Sequence, residues 1–258
     1  MSSTDRTVEK PLVDLSITGF QALCRRPGAR VSWPSRLMFL ALLVAAASEA
    51  LGQTGPGFVK LDPPDSASGY LARLLINEVP FPGEREYDGE ADTQSTMIEI
   101  LWVLDSRLRR IPKGYRQEYV AGLRASNIID VITGTGEKRQ CEGFYRNASG
   151  RFVTAPRVEE RLNYLLKIAN NGSKPGRFAR LLNFGQGLAR AYIKEGIPGA
   201  SRFAGLRRLG HEHVTGYAYS WMTDLDCYHP GGNFVTIPDA KAGSLGGNRF
   251  FTLRKTPK

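Results

Sequence analysis

Cysteine is scarce, three in 258 residues, which excludes a fold built on disulfides. No uncharged apolar run reaches the ~20 residues that a membrane span needs, and no segment repeats in tandem. Histidine is confined to one stretch, with His211, His213 and His229 the whole complement. Acid is outweighed by base, 25 Asp+Glu against 35 Lys+Arg, for a net charge of +10. That excludes an acidic solvating chain and allows an anionic partner. Thr133–Lys138 (TGTGEK) lacks the spacing of a phosphate-binding loop and reads as a turn. Arginines cluster at 107, 109 and 110 and at 207 and 208, but no recognition motif accompanies them, so no nucleic acid is expected as partner. What is present is a globular composition: 41% apolar and 23% charged residues are enough for a packed core. Frequent Gly and Pro predict short elements and many loops.

The N-terminal fifty residues read as an address. Leu37–Ala47 (LMFLALLVAAA) is apolar and uncharged, with Arg25, Arg26, Arg30 and Arg36 upstream and small residues at Ala50 and Gly52. A basic region, a short apolar stretch and a small-residue end make an export signal. The expected organisation is a targeting segment 1–52, a Gly/Pro-rich linker 53–65 and one domain 66–258. The expected location is the periplasm or cell exterior, with membrane contact only through an uncleaved N-terminal segment. Loss of 1–52 removes six basic and four acidic residues and leaves +8. Cys141 and Cys227 then remain, and outside the cytoplasm such a pair is more often oxidised than free. Spacing alone leaves both states open.

Hydrophobic periodicity predicts four long helices. The first starts near Asp65 or Ser66 and carries Leu71, Leu74, Leu75 and Glu78 on one face. Pro80, Pro82 and Gly83 stop it. The second spans about Thr93–Arg110, with Asp92 as N-cap. The third opens at Thr154-Ala-Pro156, and the fourth covers Arg177–Glu195, closed by Gly196 and Pro198. Asn127–Ile132 is a short helix or strand. Phe234–Ile237 and Arg249–Leu253 alternate as short strands do. The fold class expected is mainly α (α+β), with a small C-terminal β element.

Glu78 stands out because it continues a leucine stripe. Its helix aims a carboxyl at the core or into a cleft, where burial disfavours the charged form. A glutamic acid kept protonated near neutral pH is what glycosidic cleavage requires of a general acid. An alternative is that the side chain turns to water or pairs with an arginine.

Five segments, in order, resemble the cell wall hydrolases of the SleB/CwlJ type. They are Tyr70–Glu84 (YLARLLINEVPFPGE), Ile100–Arg107 (ILWVLDSR), Asp130-Val-Ile with Gln140–Tyr145 (QCEGFY), Ala189–Phe203 (ARAYIKEGIPGASRF) and Leu245–Phe251 (LGGNRFF). The first matches the family's opening helix and its acid, the last an IGxHxFY-like ending with Arg249 in place of the histidine. Residues 205–232 have no counterpart in this pattern. The resemblance implies a lysozyme-like helical domain that cleaves peptidoglycan strands between N-acetylmuramic acid and N-acetylglucosamine as a lytic transglycosylase. Glu78 is then the acid/base, Glu84, Phe144, Tyr145 and Phe203 are the candidate substrate contacts, and neither metal nor cofactor is needed. The aromatic residues have a second reading as core.

Two other readings stand beside it. His211 and His213, placed on one strand face, with Asp224 and His229 form a candidate zinc set. His213–Ala218 (HVTGYA) is also similar to the HxxGxA segment of zinc D-Ala-D-Ala peptidases, although Ser220 stands where that pattern has aspartate. The third reading is a wall-binding protein without catalysis.

Overall fold

The computed structural model describes residues 58–134, 141–171, 176–223, 230–238 and 245–255. Helix α1, Ala67–Asn77, begins where Ser66 accepts the Gly69 N–H at 3.0 Å, a side-chain N-cap. Its residues from Gly69 to Ile76 are all buried. Helix α2 spans Glu90–Arg109 and starts three residues earlier than its periodicity indicated. Its N-cap is Gly89, not Asp92, because Asp92 Oδ2 instead accepts the backbone N–H of Gly246 at 2.8 Å. Two short helices follow, α3 (Gln117–Ala121) and α4 (Ile128–Thr133), the latter capped by Asn127. Helix α5, Pro156–Ala169, has proline at its first position, and α6 is Arg177–Glu195, as the periodicity gave it.

Helix α1 packs most extensively on α6, and also against α5 and α2. Leu71, Leu74, Leu75, Met97, Leu101, Leu104, Leu181 and Leu182 are fully enclosed there. The segment before α1 is part of this body. Val59 and Leu61 are buried, Asn170 Oδ1 accepts the Val59 N–H at 2.7 Å, and Asn170 Nδ2 donates to the Val59 carbonyl at 3.0 Å. The linker reading of 53–65 is therefore corrected for its second half.

The β content exceeds the small element expected. Strands β1 (Phe144–Arg146) and β2 (Phe152–Thr154) form a hairpin. Strands β3 (Arg208–Leu209), β4 (Glu212–Thr223), β5 (Phe234–Thr236) and β6 (Asn248–Arg254) make an antiparallel sheet in the order β3-β4-β6-β5. Its longest strand lies in the stretch 205–232, which had no counterpart in the five-segment pattern. Two register shifts interrupt β4 against β6, between Val214 and Ala218 and between Ala218 and Ser220. Gly216 sits at the first with φ +104°, a conformation open to glycine and strained for other residues. The sheet curls, and β4 packs against α2. The architecture is mixed α+β.

Candidate active site

Glu78 is the C-cap of α1, with φ −83° and ψ 1°, and its N–H still donates to Leu74 O at 3.0 Å. Pro80 cannot continue the helix. The carbonyls left over at this end are taken by Arg161 of α5, which donates to Ile76 O at 3.0 Å and Val79 O at 2.9 Å. The same guanidinium grips Glu84, at 3.0 Å to Oε1 and 2.6 Å to Oε2, and Glu84 Oε2 also accepts the Phe81 N–H at 2.7 Å. Beyond the helix Val79 and Phe81 plunge into the core. The main chain around Glu78 is thus held from both sides, and the half-buried Glu84 takes part in that hold through Arg161.

From the sheet, Trp221 of β4 donates its indole N–H to Glu78 Oε2 at 3.0 Å. Asn248, buried at the start of β6, donates from Nδ2 to the Glu78 carbonyl at 2.8 Å and to Gly246 O at 3.2 Å. Asn248 is placed by a tight turn: Leu245 and Asn248 exchange backbone hydrogen bonds at 2.8 and 3.0 Å, with Gly246 and Gly247 at φ +50° and +69° between them. A Cβ on Gly246 would lie 2.2 Å from Thr96 Oγ1, so helix and turn approach as closely as glycine allows.

Glu78 retains some solvent contact, yet protein surrounds its carboxyl closely. Burial raises its pKa above the ordinary carboxylate value. The Trp221 N–H, the Asn77 side chain and the charge of Arg161 pull it back down, while Glu142 adds to the rise. Glu142 itself is exposed and paired with Arg157 at 2.6 Å. Next to it in sequence, Cys141 is a buried free thiol. Burial and then the charge of Glu78 push that thiol upward, against Arg107. Arg107 of α2 is buried too, donates from Nε to Tyr219 O at 2.6 Å and lies 5.4 Å from the centre of the Trp221 ring. The result is an acid on a rigid helix end, facing an indole from a sheet.

The other sequence-derived candidates are placed elsewhere. Phe144 is fully buried and meets Tyr70 edge-on at 5.4 Å; Phe203 is buried against Phe250 at 5.1 Å. Both rings are core, which corrects their reading as sugar contacts, because every face is already covered by protein. Tyr145 is half-buried on β1. His211 does not share a strand face with His213. It occupies the turn between β3 and β4, where Leu209 pairs with Glu212 and Gly210 has φ +58°. His213 pairs with Arg208, eight residues along β4 from Trp221 and hence up to about 26 Å from it. Asp224, His229 and Cys227 lie outside the described residues. Among the described residues no group of three potential metal ligands gathers, and no helix is long and apolar enough to cross a membrane.

Trp221, Asn248, Arg107 and Arg161 were not visible as site residues in the sequence. Arg107 and Asn248 lay in segments already singled out, Ile100–Arg107 and Leu245–Phe251. No family model, curated protein or solved structure matches the chain.

Proposed function

We propose that this chain is an exported peptidoglycan-cleaving enzyme that breaks the N-acetylmuramic acid–N-acetylglucosamine bond as a lytic transglycosylase, with Glu78 as acid and base. The observation that carries the reading is the Glu78 carboxyl. Burial raises its pKa, Trp221 orients it, and it stands where a helix ends beside a sheet. The five ordered segments that resemble the SleB/CwlJ-type cell wall hydrolases support it. In that reading α1, α2, α5 and α6 form the lysozyme-like part of the mixed architecture.

The chemistry closes with one carboxyl. Protonated Glu78 gives its proton to the glycosidic oxygen as the bond from the muramyl C1 to that oxygen breaks. The muramyl 6-hydroxyl oxygen then bonds to C1, and its proton returns to Glu78. The products are a 1,6-anhydro end and a new N-acetylglucosamine 4-hydroxyl, with no water consumed and no cofactor. A second carboxylate to activate water is unnecessary, in contrast to inverting glycosidases. The partner is the peptidoglycan strand, and the net positive charge favours an anionic wall polymer.

The test incubates the chain and its Glu78→Gln variant with purified peptidoglycan, and mass spectrometry reads the products. Anhydro-muropeptides from the wild type, reduced about 100-fold or more in the variant, are the expected outcome. Free reducing ends instead would replace the intramolecular attack by hydrolysis. Cleaved peptides, sensitive to chelator and indifferent to Glu78→Gln, would overturn the proposal.

A further inference from the structure

The indole that holds Glu78 is itself held. Trp221 is buried on β4, directly opposite Phe250 of β6. Over its ring lies a guanidinium that comes from another layer of the fold. Arg107 sits near the C-terminal end of α2, is only 5% exposed, and is fixed by its Nε bond to the carbonyl of Tyr219. Its central carbon is 5.4 Å from the ring centre, within the range of a cation–π contact. Burial has lowered its own pKa to about 10, so it is still a cation at neutral pH.

We infer that Arg107 is a positioning residue that acts on Glu78 through Trp221, fixing the indole plane and strengthening the N–H that the carboxyl receives. A cation on an indole face draws electron density toward itself and makes the ring N–H a better donor. A better donor to Oε2 favours the charged carboxylate and opposes the desolvation that favours the acid. Arg107 therefore limits how far burial raises the proton affinity of Glu78. The other groups that bear on this carboxyl are Asn77 of its own helix, Arg161 of α5, and Cys141 and Glu142 from the segment before β1. None of these reaches it through the indole. The catalytic consequence rests on the proposed role of Glu78 as acid; the coupling from guanidinium to indole to carboxyl does not.

The full chain is labelled with carbon-13 at glutamate carboxyls, and the Glu78 resonance, assigned by its loss in Glu78→Gln, is titrated in each variant. The pH profile of kcat/KM on peptidoglycan is measured in parallel. In Arg107→Gln the Glu78 midpoint and the alkaline limb of activity both move up by about one pH unit. Trp221→Phe moves the midpoint up as well, and the double variant matches Trp221→Phe alone, because its two changes break one chain of contacts. An unchanged midpoint in folded Arg107→Gln overturns the inference. So does full additivity in the double variant, which would mean that Arg107 acts on the carboxyl directly. If Arg107→Gln does not fold, Arg107→Lys replaces it: the charge stays, the planar face is lost, and the expected shift has the same sign and smaller size. An unchanged midpoint there overturns the inference equally. If the wild type cuts no glycan while the midpoint shifts as described, the coupling stands and the proposed reaction falls.

Discussion

Glu78 sets a stability problem for the folded chain. A carboxyl whose pKa is raised on folding binds its proton more tightly in the native state, so stability declines as pH rises past the unfolded value of about 4.5. The loss is complete once pH exceeds the folded value. A neutral isostere escapes this cost and can still accept the Trp221 N–H. Glu78→Gln is expected to melt at a higher temperature than the wild type at pH 7 and at the same temperature at pH 4 or below. Scanning calorimetry at both pH values measures it, and equal melting temperatures at pH 7 would show that the carboxyl is not strained by burial. This residue was legible in the sequence because a charge on a leucine stripe is a local anomaly. Arg107 and Arg161 were not, since an arginine on a helix normally faces water. Only the layers packed over them make one a clamp on a helix terminus and the other a cap on an indole. The aromatic candidates went astray for the same reason: Phe144 and Phe203 read alike as core or contact until their neighbours are known.

Among the elements, the Leu245–Asn248 turn bears most on the site. It carries Asn248 to the Glu78 carbonyl and rests on α2 through Asp92 and Thr96. Gly246→Ala combines a positive φ with a backbone-proximal clash at Thr96, and both are penalised. A loss of about 3 kcal/mol is expected, or roughly 6–12 °C in melting temperature. The loss of any glycan-cleaving activity should exceed the unfolded fraction, because Asn248 is displaced as well. Thermal melts and activity measured on the folded fraction check it; a melt within 2 °C of wild type would mean that the turn is looser than its contacts indicate. Helices were read well here because the 3.6-residue period and the Pro and Gly stops are written in consecutive residues. Most of strand β4 beyond the strand face read at His211 and His213 escaped because a bulge at Gly216 and a second shift near Ala218 break its alternation, and β6, its main partner, lies far along the chain. The start of α2 moved because Asp92 was taken by a tertiary contact and so was lost to capping.

Across the molecule, charge is the property that composition supplies most directly. From Gln53 onward the chain carries +8, and this charge is felt by a polyanion at distances near the Debye length. Association with purified wall, followed by co-sedimentation of the Glu78→Gln variant to avoid digestion, is expected to weaken steadily as salt rises from about 0.05 to 0.5 M. Salt-independent sedimentation would assign the contact to apolar or hydrogen-bonded recognition instead. Two kinds of information divide this protein. The sequence by itself determined its four long helices, their stops and the one carboxyl set against an apolar stripe, because each depends on residues within a few turns of one another. Tertiary structure alone decided what holds Glu78: an indole 143 positions away on its carboxyl, an amide 170 positions away on its main-chain carbonyl, and a guanidinium of α5 on the carbonyl of Ile76 two residues before it. Hydrogen bonding and desolvation depend on distance through space, and no local pattern encodes which distant side chains the packing of helices on a curled sheet will bring within 3 Å.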